Sequence, residues 1–234
     1  MCKTFGNQTD YAVFYLGQEW MEEIWIIGVG QFGYMAFQRL SATGKERHFV
    51  LVDPIKENLL RCKGPTVAHE ISDGVDFLEK YLKSGRRPDW IVPALPVHLA
   101  AEWFLLHLGP ERLRRVPLPP DIEMMVPNPI RGSEGNVYVS HADFRCPNDC
   151  DEPEDICTIT RKKRKQDMYE LLGNIHIEPF KALNIRSRQL GPGIGGYRTE
   201  QLLALMERVK QAKGPILLST ACRCHGVITG FERL

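Results

Sequence analysis

In the first half of the chain the apolar residues come in short, nearly unbroken runs, "EIWII" at 23–27, "HFVLV" at 48–52 and "WIV" at 90–92. Such runs lack the alternation of a strand with one wet face, so they predict strands buried on both sides. "GPTVAHE" at 64–70 predicts a further strand between the second and third of these. "DGVDFLEKYLKSG" at 73–85 spaces its apolar positions as a helix does and stops on Gly85. "VHLAAEWFLLHLG" at 97–109 predicts another helix, halted by Gly109 and Pro110. Alternating strands and helices argue for an α/β protein with a parallel, doubly wound sheet.

The rhythm changes after residue 113. "RRVPLPPDIEMMVPNPIRGSEG" at 114–135 carries five prolines and no sustained period, which places a domain boundary inside it. Beyond it "NVYVSHADF" at 136–144 alternates like a strand, and "RTEQLLALMERVKQAKG" at 198–214 reads as a helix ending on Gly214. "PILLST" at 215–220 reads as a buried strand that continues towards "ACRCHG".

The first apolar run leads directly into "GVGQFG", which sets Gly28, Gly30 and Gly33 in the pattern G-x-G-x-x-G. Gly28 permits a tight turn out of a strand, Gly30 lets the backbone approach a pyrophosphate, and Gly33 lets the next helix pack against the sheet. The amides of Gln31 and Phe32 would then face phosphate at a positive helix end. Asp53 closes the second run twenty residues after Gly33, where a carboxylate accepts from ribose hydroxyls and repels a 2'-phosphate. On these residues the stretch 22–115 resembles the Rossmann-type NAD-binding domains, most nearly the version found in regulators of potassium transport. The resemblance implies an NAD(H) site at Gly28, Gly30, Gln31, Phe32, Gly33 and Asp53. It leaves open whether the nucleotide is a hydride carrier or a sensed ligand.

Composition narrows the remaining classes. A net charge of +1 gives no overall attraction to nucleic acid, and no apolar run reaches the roughly 20 residues that span a bilayer. The expectation is a soluble, cytoplasmic protein with a dinucleotide partner and a small-molecule substrate or redox partner protein, with a homodimer admitted. The first twenty residues lack the basic leader and apolar core of a signal peptide.

The seven cysteines are odd in number and clustered, which favours a metal centre over a disulfide framework. "CPNDCDEPEDIC" at 146–157 holds three cysteines and five acidic residues. The spacing of Cys146, Cys150 and Cys157 fits zinc less well than an iron-sulfur cluster, and Pro147 behind Cys146 is a mild cue in the same direction. Cys222 and Cys224 offer the fourth ligand, and period two would set both on one side of a continuing strand. A 4Fe-4S cluster is the expectation, with zinc as the alternative. The acidic residues and the run "RKKRK" at 161–165 are expected to pair with each other on a solvated surface.

Other candidates have no partner fixed by spacing. His98 would lie near the carboxyl end of the fourth strand, His141, His176, His225 and Lys181 are candidate acids, bases or ligands, and Cys2 and Cys62 read as ordinary thiols. Gly193, Gly195 and Gly196 read as a loop before a helix, either a plain turn or an anion cradle. The expected organisation is an extension over 1–21, a Rossmann-like NAD-binding domain over 22–118, a proline-rich linker over 119–135 and a smaller α/β metal-binding domain over 136–234. The expected function is an NAD(H)-binding iron-sulfur protein with a redox role, its catalytic residues unassigned. The alternatives are a non-enzymatic nucleotide and redox sensor, and a zinc-stapled NAD-dependent dehydrogenase.

Overall fold

The structure is a computed structural model that describes residues 21–132 and 134–234; the expected extension and Cys2 lie outside the described residues. The fold is mixed α/β and contains two mixed sheets. The first half runs β1 (Glu22–Ile27), α1 (Gln31–Ser41), β2 (Arg47–Val52), α2 (Lys56–Leu60), β3 (Val67–Glu70), α3 (Gly74–Lys83), β4 (Trp90–Pro93), α4 (Leu99–Leu108) and β5 (Leu113–Arg115). There follow α5 (Ile122–Met125), β6 (Ile130–Arg131), β7 (Val137–Ser140), α6 (Met168–Gly173) and β8 (Lys181–Arg186). The chain ends with β9 (Arg188–Gly191), β10 (Ile194–Arg198), α7 (Thr199–Gln211), β11 (Gly214–Ala221) and β12 (His225–Arg233).

The first sheet has the order β3-β2-β1-β4-β10-β9, and the strands from β3 to β4 are parallel. The hairpin β9–β10 joins its edge by antiparallel pairing of Tyr197 and Arg198 with Ile91 and Trp90. The second sheet has the order β6-β7-β12-β11-β8, with β5 also paired to β12. The sheets therefore do not divide at the proline-rich segment. Two strands from beyond it complete the first sheet, and β5 from before it joins the second.

Both faces of each sheet are covered, which explains the unbroken apolar runs. Along β1, Ile24 and Ile26 pack on α1 while Trp25 and Ile27 face α3, α4 and α7. Along β11, Ile216 and Leu218 face that same helical layer, while Leu217 and Ala221 pack on α5 and α6. The layers run α1, first sheet, α3/α4/α7, second sheet, α5/α6. Period two splits each run between two cores.

Local signals set the ends of several elements. Asp73 caps α3, its carboxylate accepting from the amides of Val75 and Asp76. Gly28 leaves β1 at φ +90, and its amide donates to the Val52 carbonyl. The segment expected to be a glycine loop before a helix is instead a hairpin. Gly193 (φ +70) makes the turn, and Gly195 and Gly196 lie within β10. Both lie ahead of Arg198, the N-cap of α7, so the helix terminus that the anion-cradle alternative required is not theirs.

Candidate functional site

The loop between β1 and α1 is built as its glycines require. A Cβ on Gly33 would fall on the Gly28 carbonyl oxygen, whereas a Cβ on Gly30 would meet nothing within 4 Å. Gly30 is the N-cap of α1, and the first turn of that helix has neither an acidic residue nor a side-chain cap. The amides of Gln31, Phe32 and Gly33 therefore have no intrahelical acceptor.

Asp53 is only 5% exposed and is occupied by its own chain. One carboxylate oxygen accepts from the Val29 amide at 2.7 Å, and the other accepts from the Ile55 amide at 2.8 Å and Asn58 Nδ2 at 3.0 Å. A carboxylate offers about four acceptor positions, and three of them are taken here. Arg61 closes the same region, its guanidinium stacked over Tyr34 and donating to the Val29 carbonyl at 2.6 Å. Sequence spacing did not reveal Arg61.

All five expected ligand cysteines, Cys146, Cys150, Cys157, Cys222 and Cys224, line one cavity of about 770 Å³. Its wall also includes Phe32 and Met35 of α1, the Gly193–Gly195 turn, His141, Glu152, Arg164 and His225. A smaller cavity of about 340 Å³ runs along the carboxyl end of β4 and shares Phe32, Met35 and Gly193–Gly195 with the first. The two cavities therefore adjoin at Phe32, Met35 and the Gly193–Gly195 turn. Gly28, Gly30 and Asp53 line neither cavity. Phe32, 55% exposed, is the residue of the expected nucleotide set that lines both.

The cysteine loop is held against the first sheet. Arg39 of α1 donates to the carbonyls of Asn148 and Pro192, both at 2.6 Å. The Cys150 carbonyl accepts from the Gly193 amide at 3.0 Å and from Gln189 Nε2 at 2.6 Å. Any side chain on Gly193 would strike the Asn148 carbonyl. These contacts position Cys146 and Cys150 beside the hairpin.

The second group of thiols sits in a turn, not on a continuing strand. β11 ends at Ala221, and the Cys222 amide donates to the His225 carbonyl at 2.9 Å, closing the turn into β12. Cys222 Sγ accepts from the amides of Cys224 (3.4 Å) and His225 (3.3 Å). Burial pushes the Cys222 thiol up, and Glu152 beside it adds to the rise. Cys224 Sγ instead accepts from Arg164 Nη2 at 3.1 Å. Burial raises the Cys224 thiol, and the Arg164 guanidinium opposes that rise.

Cys157 is held below the usual thiol range, first by the Thr160 hydroxyl and then by the amides of Thr160 and Ile159. Burial raises Cys146, and the nearby thiols of Cys150, Cys224 and Cys157 oppose its ionisation further. A bound cation would reverse that opposition. Among the described residues no three His, Cys, Asp or Glu side chains converge as a ready site for one ion.

Arg164 corrects the expectation that the whole basic run is solvated. Its side chain is 7% exposed and bonds to Asp167 at 2.9 Å and to the carbonyls of Glu154 and Pro153 at 2.6 and 2.9 Å. Lys162, Lys163 and Lys165 remain exposed on the cavity rim.

The other candidates separate. His98 is fully buried between Thr229 (2.8 Å) and Thr220 (2.8 Å), away from both cavities. Cys62 belongs to the core beside α1. His141 lines the large cavity, and its Nε2 is buried without a hydrogen-bond partner. His176 and Lys181 lie outside both cavities.

Fold and site together define a two-sheet α/β protein with a thiol-lined cavity where the sheets' elements meet. The chain belongs to the family AF_1314_C, described as the C-terminal domain of an uncharacterized protein, which matches residues 100–234 and so includes all five cavity cysteines. An uncharacterized protein of Archaeoglobus fulgidus is 31% identical over 225 residues, covering 89% of this chain and 98% of its own length. No solved structure matches the chain. No helix among the described residues is long and apolar enough to cross a membrane.

Proposed function

We propose that the protein binds NAD(H) at the Rossmann-like strands β1–β4 and an iron-sulfur cluster among the cavity thiols, and that it carries out redox chemistry on a small molecule between them. The observation that carries the reading is that all five cysteines line one cavity, whose wall includes the helix that follows the glycine loop.

Three features support the nucleotide half. The parallel order β3-β2-β1-β4 brings the glycine loop to the carboxyl edge of the sheet, where such folds take their ligands. The free first-turn amides of α1 suit a pyrophosphate. Asp53 fixes Val29 through its amide and keeps one acceptor position for ribose.

The donor set suits a cluster. Zinc holds four thiolates at about 2.3 Å from one centre, which draws them tightly around a point. A cluster gives each thiolate its own iron, so its ligands stand apart around a volume, and these thiols are spread along the wall of a cavity of about 770 Å³. When bound, the cluster would supply a Lewis-acidic or one-electron centre. NADH would deliver two electrons and a proton together as hydride and leave as NAD⁺, so the acceptor would be an electrophilic carbon or heteroatom of a small substrate held beside the thiols. Phe32, Met35 and Gly193–Gly195 would shield that transfer from water.

The test is anaerobic purification with iron, acid-labile sulfide and zinc assayed per chain, and NADH binding followed by its fluorescence. Iron and sulfide in comparable amounts with saturable NADH binding are expected. A colourless protein holding one zinc would replace the cluster with a structural staple, and failure to bind NADH would remove the nucleotide half.

A further inference from the structure

We propose that Cys224, and not Cys222, completes a four-thiolate set with Cys146, Cys150 and Cys157, and that Arg164 is the positive charge fixed on that set. The assignment rests on the iron-sulfur reading above and names the ligands of the same site.

The two candidate cysteines differ in what holds their sulfur. Cys222 stands at the root of the β11–β12 turn, where its sulfur takes the amides of Cys224 and His225 and lies 3.9 Å from His225 Nδ1. Those contacts close the turn itself: the Cys222 sulfur accepts from the amides two and three residues on, and so sets the place of Cys224. The Cys224 sulfur takes its hydrogen bond from a side chain instead, the guanidinium of Arg164, which also holds the acidic loop through the carbonyls of Pro153 and Glu154.

The surroundings separate the pair in the same way. Glu152 accepts from the Arg223 amide at 2.5 Å, inside the turn that Cys222 opens, whereas the Cys224 sulfur shares its guanidinium with the loop that leads to Cys157.

Arg164 is placed to act as both anchor and charge. Its amide donates to the Asp155 carbonyl at 2.7 Å, and its fork spans Pro153, Glu154, Asp167 and Cys224. One side chain therefore ties the loop that ends in Cys157 to the turn that carries Cys224. Four thiolates and the adjoining carboxylates make an anionic centre, and a buried guanidinium in contact with one sulfur favours adding an electron to it. Arg164 is a positioning residue and touches no substrate.

The experiment uses the full chain, purified without oxygen, as wild type, Cys224→Ala, Cys222→Ala, Cys222→Ser, Arg164→Gln and Arg161→Gln. Iron and sulfide per chain are assayed, and the midpoint potential is read by spectroelectrochemistry. Cys224→Ala should lose most of the iron and sulfide, while Cys222→Ala keeps close to the wild-type amount. If Cys222→Ala fails to fold, Cys222→Ser, which keeps an acceptor for both amides, decides the point by the same criterion. Arg164→Gln should lower the potential well beyond any change in Arg161→Gln, which removes an equal charge outside the cavity wall. Retention of the cluster in Cys224→Ala, or its loss from a natively folded Cys222 variant, overturns the ligand set. An unchanged potential in Arg164→Gln overturns the role of the guanidinium. Iron in the wild type with the wrong cysteine dependence defeats this assignment alone, whereas a wild type without iron and sulfide defeats the parent reading with it.

Discussion

Two glycines three residues apart, Gly30 and Gly33, answer the same substitution differently. Gly33 has no room for a Cβ because the Gly28 carbonyl occupies its place, so Gly33→Ala must shift the loop or the helix. A loss of about 1–3 kcal/mol in urea unfolding is expected, as for an overpacked core. Gly30 faces open space, so Gly30→Ala should cost at most about 1 kcal/mol, the difference between glycine and alanine at an N-cap. Its NADH affinity should nevertheless fall tenfold or more, because the added methyl group stands where a pyrophosphate would approach. Wild-type NADH affinity in Gly30→Ala would remove the glycine loop from the nucleotide site. At this scale the pattern of glycines was legible in sequence, since each glycine's need is local. Arg164 was not, because four neighbouring cations gave it the look of a solvated run, and its burial comes from Cys224 and Asp167.

The β9–β10 hairpin matters as an element because it belongs to the first sheet while its turn supports the cysteine loop. Gly193→Ala puts a methyl group onto the Asn148 carbonyl and disturbs the seat shared by Arg39, Gly193 and Gln189. The expected result is a loss of iron and sulfide severalfold greater than the loss of NADH affinity, measured on the same preparation. Equal losses would mean that the hairpin supports the whole sheet and not the cysteine loop in particular. The strands β1, β2, β4 and β11 were readable because burial on both faces produces compact apolar runs. The hairpin was not, because "GPGIGG" carries too few side chains to show a period, and its pairing with β4 joins residues about a hundred positions apart. Cys222 and Cys224 were expected at the exit of the last buried run, and β11 does end at Ala221, where the chain reverses to pair β11 with β12.

Across the whole molecule, His98 links the two sheets. It follows β4 and precedes α4, yet its ring contacts Thr220 on β11 and Thr229 on β12. Thr229 donates to Asn136 Oδ1 at 2.7 Å, so its oxygen accepts from His98 Nδ1–H, and Thr220 donates to Nε2. Burial, reinforced by Arg115, lowers the His98 pKa to about 3. The unfolded chain binds the proton near pH 6.5, so this contribution to stability is complete above that pH and is lost as the pH falls towards 3. Between pH 7.5 and 5 the loss should be about 2 kcal/mol, and His98→Gln should remove that part of the pH dependence. Equal slopes for the two proteins in urea unfolding would show that His98 stays neutral in both states or is not buried. Sequence placed His98 near the end of β4 but could not show the second sheet that encloses it.

The most direct test of the central claim, that a nucleotide site and a thiol centre adjoin in this chain, is to titrate the anaerobic protein with NAD⁺ while recording the visible circular dichroism of the centre. The protein's cavities share Phe32, Met35 and Gly193–Gly195, so the spectrum should change in step with nucleotide binding and saturate at the same concentration. Saturable binding with an unaltered spectrum would contradict the account, leaving two sites that occupy one chain without meeting.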